Sequence, residues 1–502
     1  MNNEKIITLS DLSSVRRKYK KIVLAHGTFD FIHYGHILHL KKAKTLGEVL
    51  VVSVTSDKFI KKGPGRPIYD DLIRLNMLSE FNFVDYVLVT HSKTAVEVIN
   101  KLKPNIYVKG NEYKNLDNDI AKNGRLEFDT VKKNKGLIKF TNEQTLSSSS
   151  LINSYINRSD NSLNEYLKKI KNKVSLNQFY KKIESVKKIK ALVMGEAILD
   201  EYIICESLAK SPKEEIISSR QIKKNLYLGG ILATASHVSN FIDDITLLSL
   251  FGDNIKLNNY ILKKLDKKIK SKFFTDDTKK TIVKTRFLEN STKKKLFQVN
   301  NLEHNYISQK VENKILLFLR RNLKNFDIIL INDFGHGLMT PKIIKYISKF
   351  SKKLFINVQT NSANLGYNYF DKYSKCKYLS IDEPEARLGT GSRFSSIDKL
   401  FKIIKNSTDF QMCSITHGGQ GTRIFADGKL FNAPALTNKF IDTVGAGDAY
   451  FALSSIFFAV QKDPALVAFF GNIGGAMKIQ YLGHEKNITK QELLFYLKSL
   501  IS

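Results

Sequence analysis

Cysteine is scarce: Cys205, Cys376 and Cys413 are the only three in 502 residues. So thin a scatter excludes a disulfide scaffold and a Cys-rich zinc site, and it fits a reducing cytoplasm. No run of about 18 apolar residues occurs, so neither a transmembrane helix nor a membrane partner is expected. The opening, Met1 to Ser10, lacks the basic-then-apolar build of a signal peptide. No internal repeat is found. Apolar residues make up 42% and charged residues 25%, which excludes a disordered or collagen-like chain. At roughly 100–200 residues per domain, the length implies two to four domains.

Negative charge is also in short supply. Lys and Arg number 80 against 48 Asp and Glu, a net charge of +32. Residues 1–150 hold 25 basic and 16 acidic side chains, and the remainder holds 55 and 32, so the excess is spread evenly. A nucleic-acid arm would be concentrated, and the richness in Lys, Asn and Ile reads as a bias of the whole genome. No nucleic-acid partner is expected. The excess still favours phosphorylated, anionic substrates.

Residues 21–157 alternate apolar strands (22–25, 49–54, 86–89, 106–108) with amphipathic helices (34–46, 70–79). This rhythm implies a parallel sheet with helices on both faces. Residues 158–190 are polar and Lys-rich, with a few apolar residues at helical spacing, and read as a partly helical linker. A second rhythm begins at Ala191, with buried strands expected at 245–250, 328–331, 354–358 and 412–416 and a helix over 311–323. Residues 282–288 and 296–299 read as a hairpin. The expected class is α/β, two doubly wound parallel-sheet domains at 1–157 and 189–502, joined by a linker at 158–188.

The first strand runs into His26-Gly27-Thr28-Phe29-Asp30, then His33-Tyr34-Gly35-His36 and a helix. Ligands of open parallel sheets bind beyond the carboxyl ends of strands. A helix start there offers unpaired N–H groups and a positive dipole to phosphate. His33 and His36 are three apart, so both rings can face one ligand. Two imidazoles can then stabilise charge at an α-phosphorus with no covalent intermediate. Two neighbouring surface histidines would be the bland reading, and the preceding strand with Gly-Thr-Phe-Asp argues against it.

Residues 20–156 resemble the His-x-Gly-His nucleotidylyltransferases, including glycerol-3-phosphate cytidylyltransferases and the adenylyltransferase part of ADP-heptose synthases. Beyond the motif, the resemblance rests on Lys44, Arg66-Pro67, Arg74, Val108-Lys109-Gly110 and the serine run Ser147, Ser148, Ser149 and Ser150. It implies that Gly27, Thr28, Phe29, Arg74 and the serines bind nucleotide, that Lys44 assists His33 and His36, and that Lys109 lies near substrate. His26 stands where heptose-type enzymes carry Asn, and Gly-Thr-Phe-Asp is closer to cytidylyltransferases. ATP and CTP both remain open, with ATP favoured if one pathway explains the whole chain.

Near the C-terminus stands Asp442-Thr443-Val444-Gly445-Ala446-Gly447-Asp448, followed by an apolar helix. Glycines let backbone N–H groups turn inward as an anion cradle. An Asp inside that cradle can take the proton of a hydroxyl attacking a γ-phosphate. Residues 189–502 resemble the ribokinase-like sugar kinases, which implies a ribokinase-like fold with a small β lid. The segment Gly195 to Tyr202, with Ser211-Pro212 and Lys284-Thr285-Arg286, is most similar to the heptose-7-phosphate kinase part of ADP-heptose synthases.

That resemblance makes Asp448 the base and gives Gly445, Ala446, Gly447, Thr416, Gly418, Gly419, Gly421 and Asn472 to the nucleotide. It gives Asp200, Gly229, Gly230, Lys284 and Arg286 to the sugar. Asp382 and Glu385 would organise Mg²⁺, with Asp382 where the family has Asn. Ala233 stands where the family carries a sugar-contacting Asn. The implied whole is a cytoplasmic, bifunctional sugar kinase and sugar-1-phosphate nucleotidylyltransferase making an ADP-heptose-like nucleotide sugar for surface polysaccharide. A cytidylyltransferase fused to another polyol or sugar kinase is the alternative. Its partners would be sugar phosphates and nucleoside triphosphates, and a homodimer through the lid is compatible with the kinase resemblance.

Overall fold

The computed structural model describes residues 4–60, 66–113, 123–141, 161–364 and 366–501. The chain packs as two units, Met1–Leu167 with Gln491–Ser502, and Lys168–Lys490.

The first unit holds five strands: β1 (Ile22–Gly27), β2 (Val49–Thr55), β3 (Tyr86–Thr90), β4 (Ile106–Gly110) and β5 (Leu137–Thr141). Their order is β3-β2-β1-β4-β5, and every pairing is parallel. The central strands β1 and β2 are mostly apolar because both faces are covered, whereas the edge strand β5 is half exposed. Leu24, Val51 and Leu88 pack on one face with Val98, Ile99 and Leu102. Val23, Ala25, Val52 and Val54 pack on the other with Leu40, Ala43, Leu75 and Leu78. The strand order reverses at β1, between β2 and β4. The crevice beyond the carboxyl ends of β1 and β4 is therefore the expected ligand position.

The second unit holds β6 (Lys190–Gly195), β7 (Ala197–Lys210), β8 (Ile217–Gly230), β9 (Asp244–Phe251), β10 (Lys270–Thr275), β11 (Ile282–Glu289), β12 (Lys295–Asn301), β13 (Ile328–Asp333), β14 (Leu354–Val358), β15 (Lys375–Asp382), β16 (Asp409–Thr416), β17 (Thr422–Ala426) and β18 (Lys429–Ala433). Among the described residues the main sheet runs β10-β9-β6-β13-β14-β15-β16-β17-β18. It is parallel except for β17 and β18. The carboxyl ends of β6, β13, β14, β15 and β16 line up Glu196, Asp333, Gln359, Asp382 and His417 along one edge.

A separate sheet, β12-β11-β7-β8, forms the lid. Its β11–β12 hairpin matches the sequence expectation, whereas the long β7–β8 hairpin was not foreseen. The first eight residues of β8 are exposed in succession, so they carry no alternation to read.

The stretch expected as a partly helical linker is helical over most of its described length. It forms the helices Asn161–Lys173 and Leu176–Ser185 and a short turn at Val186–Lys188. Ser175 and Gln178 make a reciprocal cap that starts the second helix. Phe179 and Ile183 are buried, and the Phe179 ring lies 5.9 and 5.5 Å from those of Phe469 and Phe470. A narrow apolar stripe, too sparse to read as core, thus docks this helix onto the second unit.

Candidate active sites

His33 caps the start of the helix Tyr34–Lys44, just past the end of β1. Its backbone N–H donates to His36 Nδ1 at 3.4 Å, and the two rings stack with centroids 3.9 Å apart. His36 Nδ1 is therefore an acceptor, which places the proton of a neutral ring on Nε2. Phe29, at φ 48°, is buried with its ring 5.4 Å from that of His36. Gly27 lies under this ring, which a Cβ would approach to 3.1 Å. Partial burial holds the His33 pKa below the ordinary value.

Beneath the histidines lies a buried polar network. Lys109 pairs with Glu127 at 3.1 Å and donates to the His26 carbonyl at 3.2 Å. Glu127 also accepts from the Ala95 amide and the Tyr107 hydroxyl, each at 2.8 Å. Burial pushes the Glu127 pKa up, but Lys109, His26 and these donors outweigh it and hold it at about 2. The His26 ring meets Ser53 at 2.8 Å, and burial lowers its pKa to about 4. Its side chain thus belongs to this network. Glu127 was missed in the sequence, because a lone Glu on an amphipathic helix carries no signal.

Two of the expected site residues are engaged by protein groups here. Arg74 is fully buried and donates to the Tyr69, Thr28 and Thr55 carbonyls and to Asp57. It holds the Thr28 loop in place, its guanidinium engaged by protein groups. Lys44 lies at the far end of its helix, about 12 Å of rise from His36 at ~1.5 Å per residue. There it pairs with Asp85 at 2.6 Å and caps the Glu48 carbonyl at 2.7 Å. Ser147, Ser148 and Ser149 fall outside the described residues.

In the second unit, Gly445 caps the helix Ala446–Val460 at φ 80°, a left-handed conformation suited to glycine. A Cβ there would lie 2.2 Å from His484 Cε1. Gly447 follows in the first turn, where a Cβ would meet nothing within 4 Å. Asp448 is buried in that same turn. Its Oδ1 accepts from Gln359 Nε2 at 2.6 Å and Asn332 Nδ2 at 3.2 Å. Burial raises the Asp448 pKa to about 6, against the pull of Gln359.

The lid carries the residues expected to face a sugar. Asp200 on β7 pairs with Arg286 on β11 at 2.5 Å, and His484 Nε2 lies 3.6 Å from its other oxygen. Gly229 is required at this point, because a Cβ would fall 2.0 Å from Asp200 Oδ2. Gly230 begins the helix Ile231–Val238, whose third residue is the buried Ala233. Lys284 is buried beside Arg286, with its ammonium 5.9 Å from the Phe334 ring. Burial lowers its pKa, opposed by Asp200. Lys284 and Arg286 are thus both buried.

Asp382 and Glu385 form a reciprocal cap on the helix Glu383–Thr390. Each side chain accepts the other's backbone N–H at 2.8 Å, and Glu385 also accepts from the Thr360 amide at 3.0 Å. Burial raises both pKa values. Among the described residues no three His, Cys, Asp or Glu side chains group as a metal cage. Two carboxylates still suit Mg²⁺, which is commonly held by one or two carboxylates together with substrate phosphates and waters.

Thr416 ends β16, and Gly418–Gln420 forms a turn closed by Gly421. Cβ atoms at 418 and 419 would meet nothing within 4 Å, so this backbone is open to a ligand. Asn472 differs from expectation. Its amide accepts from Thr422 at 2.7 Å and donates to the Ala433 and Pro434 carbonyls at 3.1 and 2.9 Å. It braces the loop after β18 and has no donor left for a base.

Sequence reasoning also missed Glu196, Asn332 and Gln359. Glu196 accepts the amides of Phe334, His336 and Leu338 at 3.1, 3.0 and 3.4 Å, which shapes the loop after β13. The available signal was position: all three residues sit at or just beyond the carboxyl end of a strand.

Residues 188–491 match the model of the pfkB family carbohydrate kinases. That span exceeds half of the chain, and the chain belongs to this family. Residues 24–225 match the cytidylyltransferase-like model, so a nucleotidyltransferase-type domain precedes the kinase domain. The N-terminal part is 44% identical over 115 residues to the bifunctional protein HldE of Campylobacter jejuni strain RM1221, covering 22% of this chain and 24% of that one. The HldE of Helicobacter pylori strain J99 is 42% identical over 132 residues, 25% of this chain and 28% of that one. These alignments span about a quarter of the relatives' length. Among solved structures, ribokinase from Thermotoga maritima superposes with a TM-score of 0.50 at 16% identity, over 62% of this chain and 99% of that one. Phosphofructokinase-2 from Escherichia coli gives 0.50 at 14%, over the same shares. At that identity the likeness is one of fold.

Proposed function

We propose that the chain is a bifunctional enzyme, an ATP-dependent sugar kinase and a sugar-1-phosphate nucleotidylyltransferase. The observation that carries the kinase half is Asp448: a buried carboxylate at a helix start, with Gln359 and Asn332 fixing one oxygen. In the kinase reaction the sugar hydroxyl attacks the γ-phosphorus, its proton passes to Asp448, and ADP leaves. A pKa of about 6 places this base close to a neutral working pH. The backbone from Gly445 to Gly447 would receive the transferring phosphoryl at the helix start. Asp382 and Glu385 would hold Mg²⁺, which neutralises phosphate charge. Asp200, Lys284 and Arg286 would receive the sugar phosphate.

In the transferase reaction an oxygen of the sugar 1-phosphate attacks the α-phosphorus, and pyrophosphate leaves. His33 and His36 would donate to the oxygens that gain charge. The HldE likeness of this half supports an ADP-heptose-type product and ATP as its nucleotide. The Gly-Thr-Phe-Asp sequence keeps CTP as the second reading. No helix among the described residues is long and apolar enough to cross a membrane. A cytoplasmic setting is consistent with three free cysteines, all buried. Exposed Leu208, Ile216 and Ile217 on the lid would support a homodimer, which light scattering would test.

The deciding experiment incubates the chain with ATP or CTP and a panel of sugars, sugar phosphates and sugar 1-phosphates. Nucleoside diphosphate and pyrophosphate are read separately. ADP with a sugar phosphate supports the kinase, and pyrophosphate with a sugar 1-phosphate supports the transferase. Release of neither product overturns the reading.

A further inference from the structure

We propose that Lys478 is a built-in counter-cation behind the phosphoryl-transfer cradle, a positioning residue that balances the negative charge gathered around Asp448. The inference rests on the kinase reading above. Lys478 is 1% exposed, and its Nζ has no hydrogen-bond partner and no ion pair among the described residues. An ammonium is costly to bury without a compensating anion.

Its position explains which anion it serves. Lys478 ends the helix Pro464–Lys478. Helical side chains lean back over the turn before them, and that turn contains Gly474 and Gly475. Those glycines press against the first turn of the Asp448 helix. A Cβ on Gly474 would lie 2.6 Å from the Ala449 carbonyl oxygen, and one on Gly475 would lie 3.8 Å from that of Ala446. The next residue, Ile479, accepts the backbone N–H groups of Ile441 and Asp442 at 2.7 and 3.2 Å. The chain therefore pins Lys478 against the segment leading into the cradle and against the helix that carries the base.

The charged and titratable groups facing it are Asp442, Asp200, Asp448, Lys295, His237 and His484. Asp442 is already served by Lys295 at 2.6 Å, the Tyr202 hydroxyl at 2.8 Å and the Gly483 and Val444 amides. Asp200 is served by Arg286. Burial keeps both histidines neutral near pH 7. Asp448, which Lys284 also faces, and an arriving phosphate are left for Lys478 to help balance. Burial lowers the Lys478 pKa to about 8, so the group stays mostly charged at neutral pH.

The test compares full-length Lys478→Ala and Lys478→Met with the unsubstituted chain. Sugar phosphorylation is measured in tetramethylammonium buffer, then with ammonium chloride added. The alanine variant should lose at least about tenfold in kinase kcat, the scale of one lost electrostatic stabiliser or somewhat below it. Ammonium should restore part of that loss by entering the vacated space. The methionine variant fills the space and should not respond. In both variants the acid limb of the kcat/KM profile should move to higher pH, because the cation no longer favours ionised Asp448. Pyrophosphate release by the transferase half should not change.

Wild-type kinase activity in the alanine variant, or a loss with no ammonium response and an unshifted limb, overturns the proposal. An unsubstituted chain without kinase activity counts against the kinase reading instead, and melting then decides. Ammonium should raise the Tm of the alanine variant more than tetramethylammonium does, and should leave the other two chains unmoved. Absence of that selective shift overturns the proposal whatever the activity.

Discussion

Gln359 Nε2 donates to Asp448 Oδ1 at 2.6 Å, and the same carboxylate oxygen takes a second donor from Asn332 at 3.2 Å. Both donors crowd one oxygen, which leaves Oδ2 to receive a proton. They also favour the ionised form against the burial that raises its pKa to about 6. Kinase kcat/KM should therefore rise as pH climbs through about 6. Gln359→Leu removes a donor and should move that limb upward. A limb that stays in place after this substitution would separate the titration from Asp448.

Asp448→Asn keeps the shape but cannot take the proton. Kinase turnover should fall by about 10²–10⁴-fold, the usual contribution of a positioned base. The folded pKa of Asp448 lies above its ordinary value of 3.8, so stability is lost as pH rises from there, and the loss is complete once pH passes about 6. The asparagine variant should thus melt higher than the parent above about pH 6. A calorimetric scan at pH 5 and at pH 8 checks the sign.

His36→Ala removes a donor at the α-phosphorus and should cost about 10²–10³-fold in nucleotidyl transfer. Phosphorylation of the sugar, which depends on residues of the other unit, should continue. Arg74→Lys should also impair transfer through loss of loop order, with a lowered Tm that His36→Ala does not share. Parallel rate and melting measurements distinguish the two.

Glu127→Gln leaves the Lys109 ammonium buried beside an uncharged amide. Breaking a buried pair from one side costs about 3–5 kcal/mol. The Glu127 pKa is depressed to about 2 in the fold, so its stabilisation is full above its ordinary value of 4.5 and fades as pH falls toward 2. Acid unfolding of the first unit should begin in that window for the parent and show less pH dependence in the variant. Circular dichroism against pH measures it.

Phe179→Ala should destabilise the second unit by about 3–5 kcal/mol, because a buried ring is lost from a packed site. An unchanged melting curve would mean that the helix Leu176–Ser185 is only tethered.

Most of the central strands of both sheets were legible in the sequence because they are buried on both faces and read as apolar runs, whereas the half-exposed edge strands β5 and β10 were not read. The turn at Gly445-Ala446-Gly447-Asp448 was legible for a different reason: its glycines stand out immediately before an apolar helix. What escaped notice was polar. Glu196, Asn332, Gln359 and Glu127 act through distances across strands, and one-letter spacing holds no trace of those distances. Arg74 and Asn472 occupy the positions the family pattern assigned to ligands, yet each spends its hydrogen bonds on protein groups. Residue type and position were readable there, and the direction of the donors was not. The outer half of β8 failed for want of any buried face.

The contact between Gly445 and His484 bears on how this chain can change over generations. A methyl group at 445 would overlap the imidazole at 2.2 Å, and φ there already disfavours any side chain. Relatives with alanine at the first position would need a smaller residue at the second. Drift at either place is then conditional on the other, although 39 positions separate them along the chain. In an alignment of close homologues the two columns should vary together, a historical record of one steric collision.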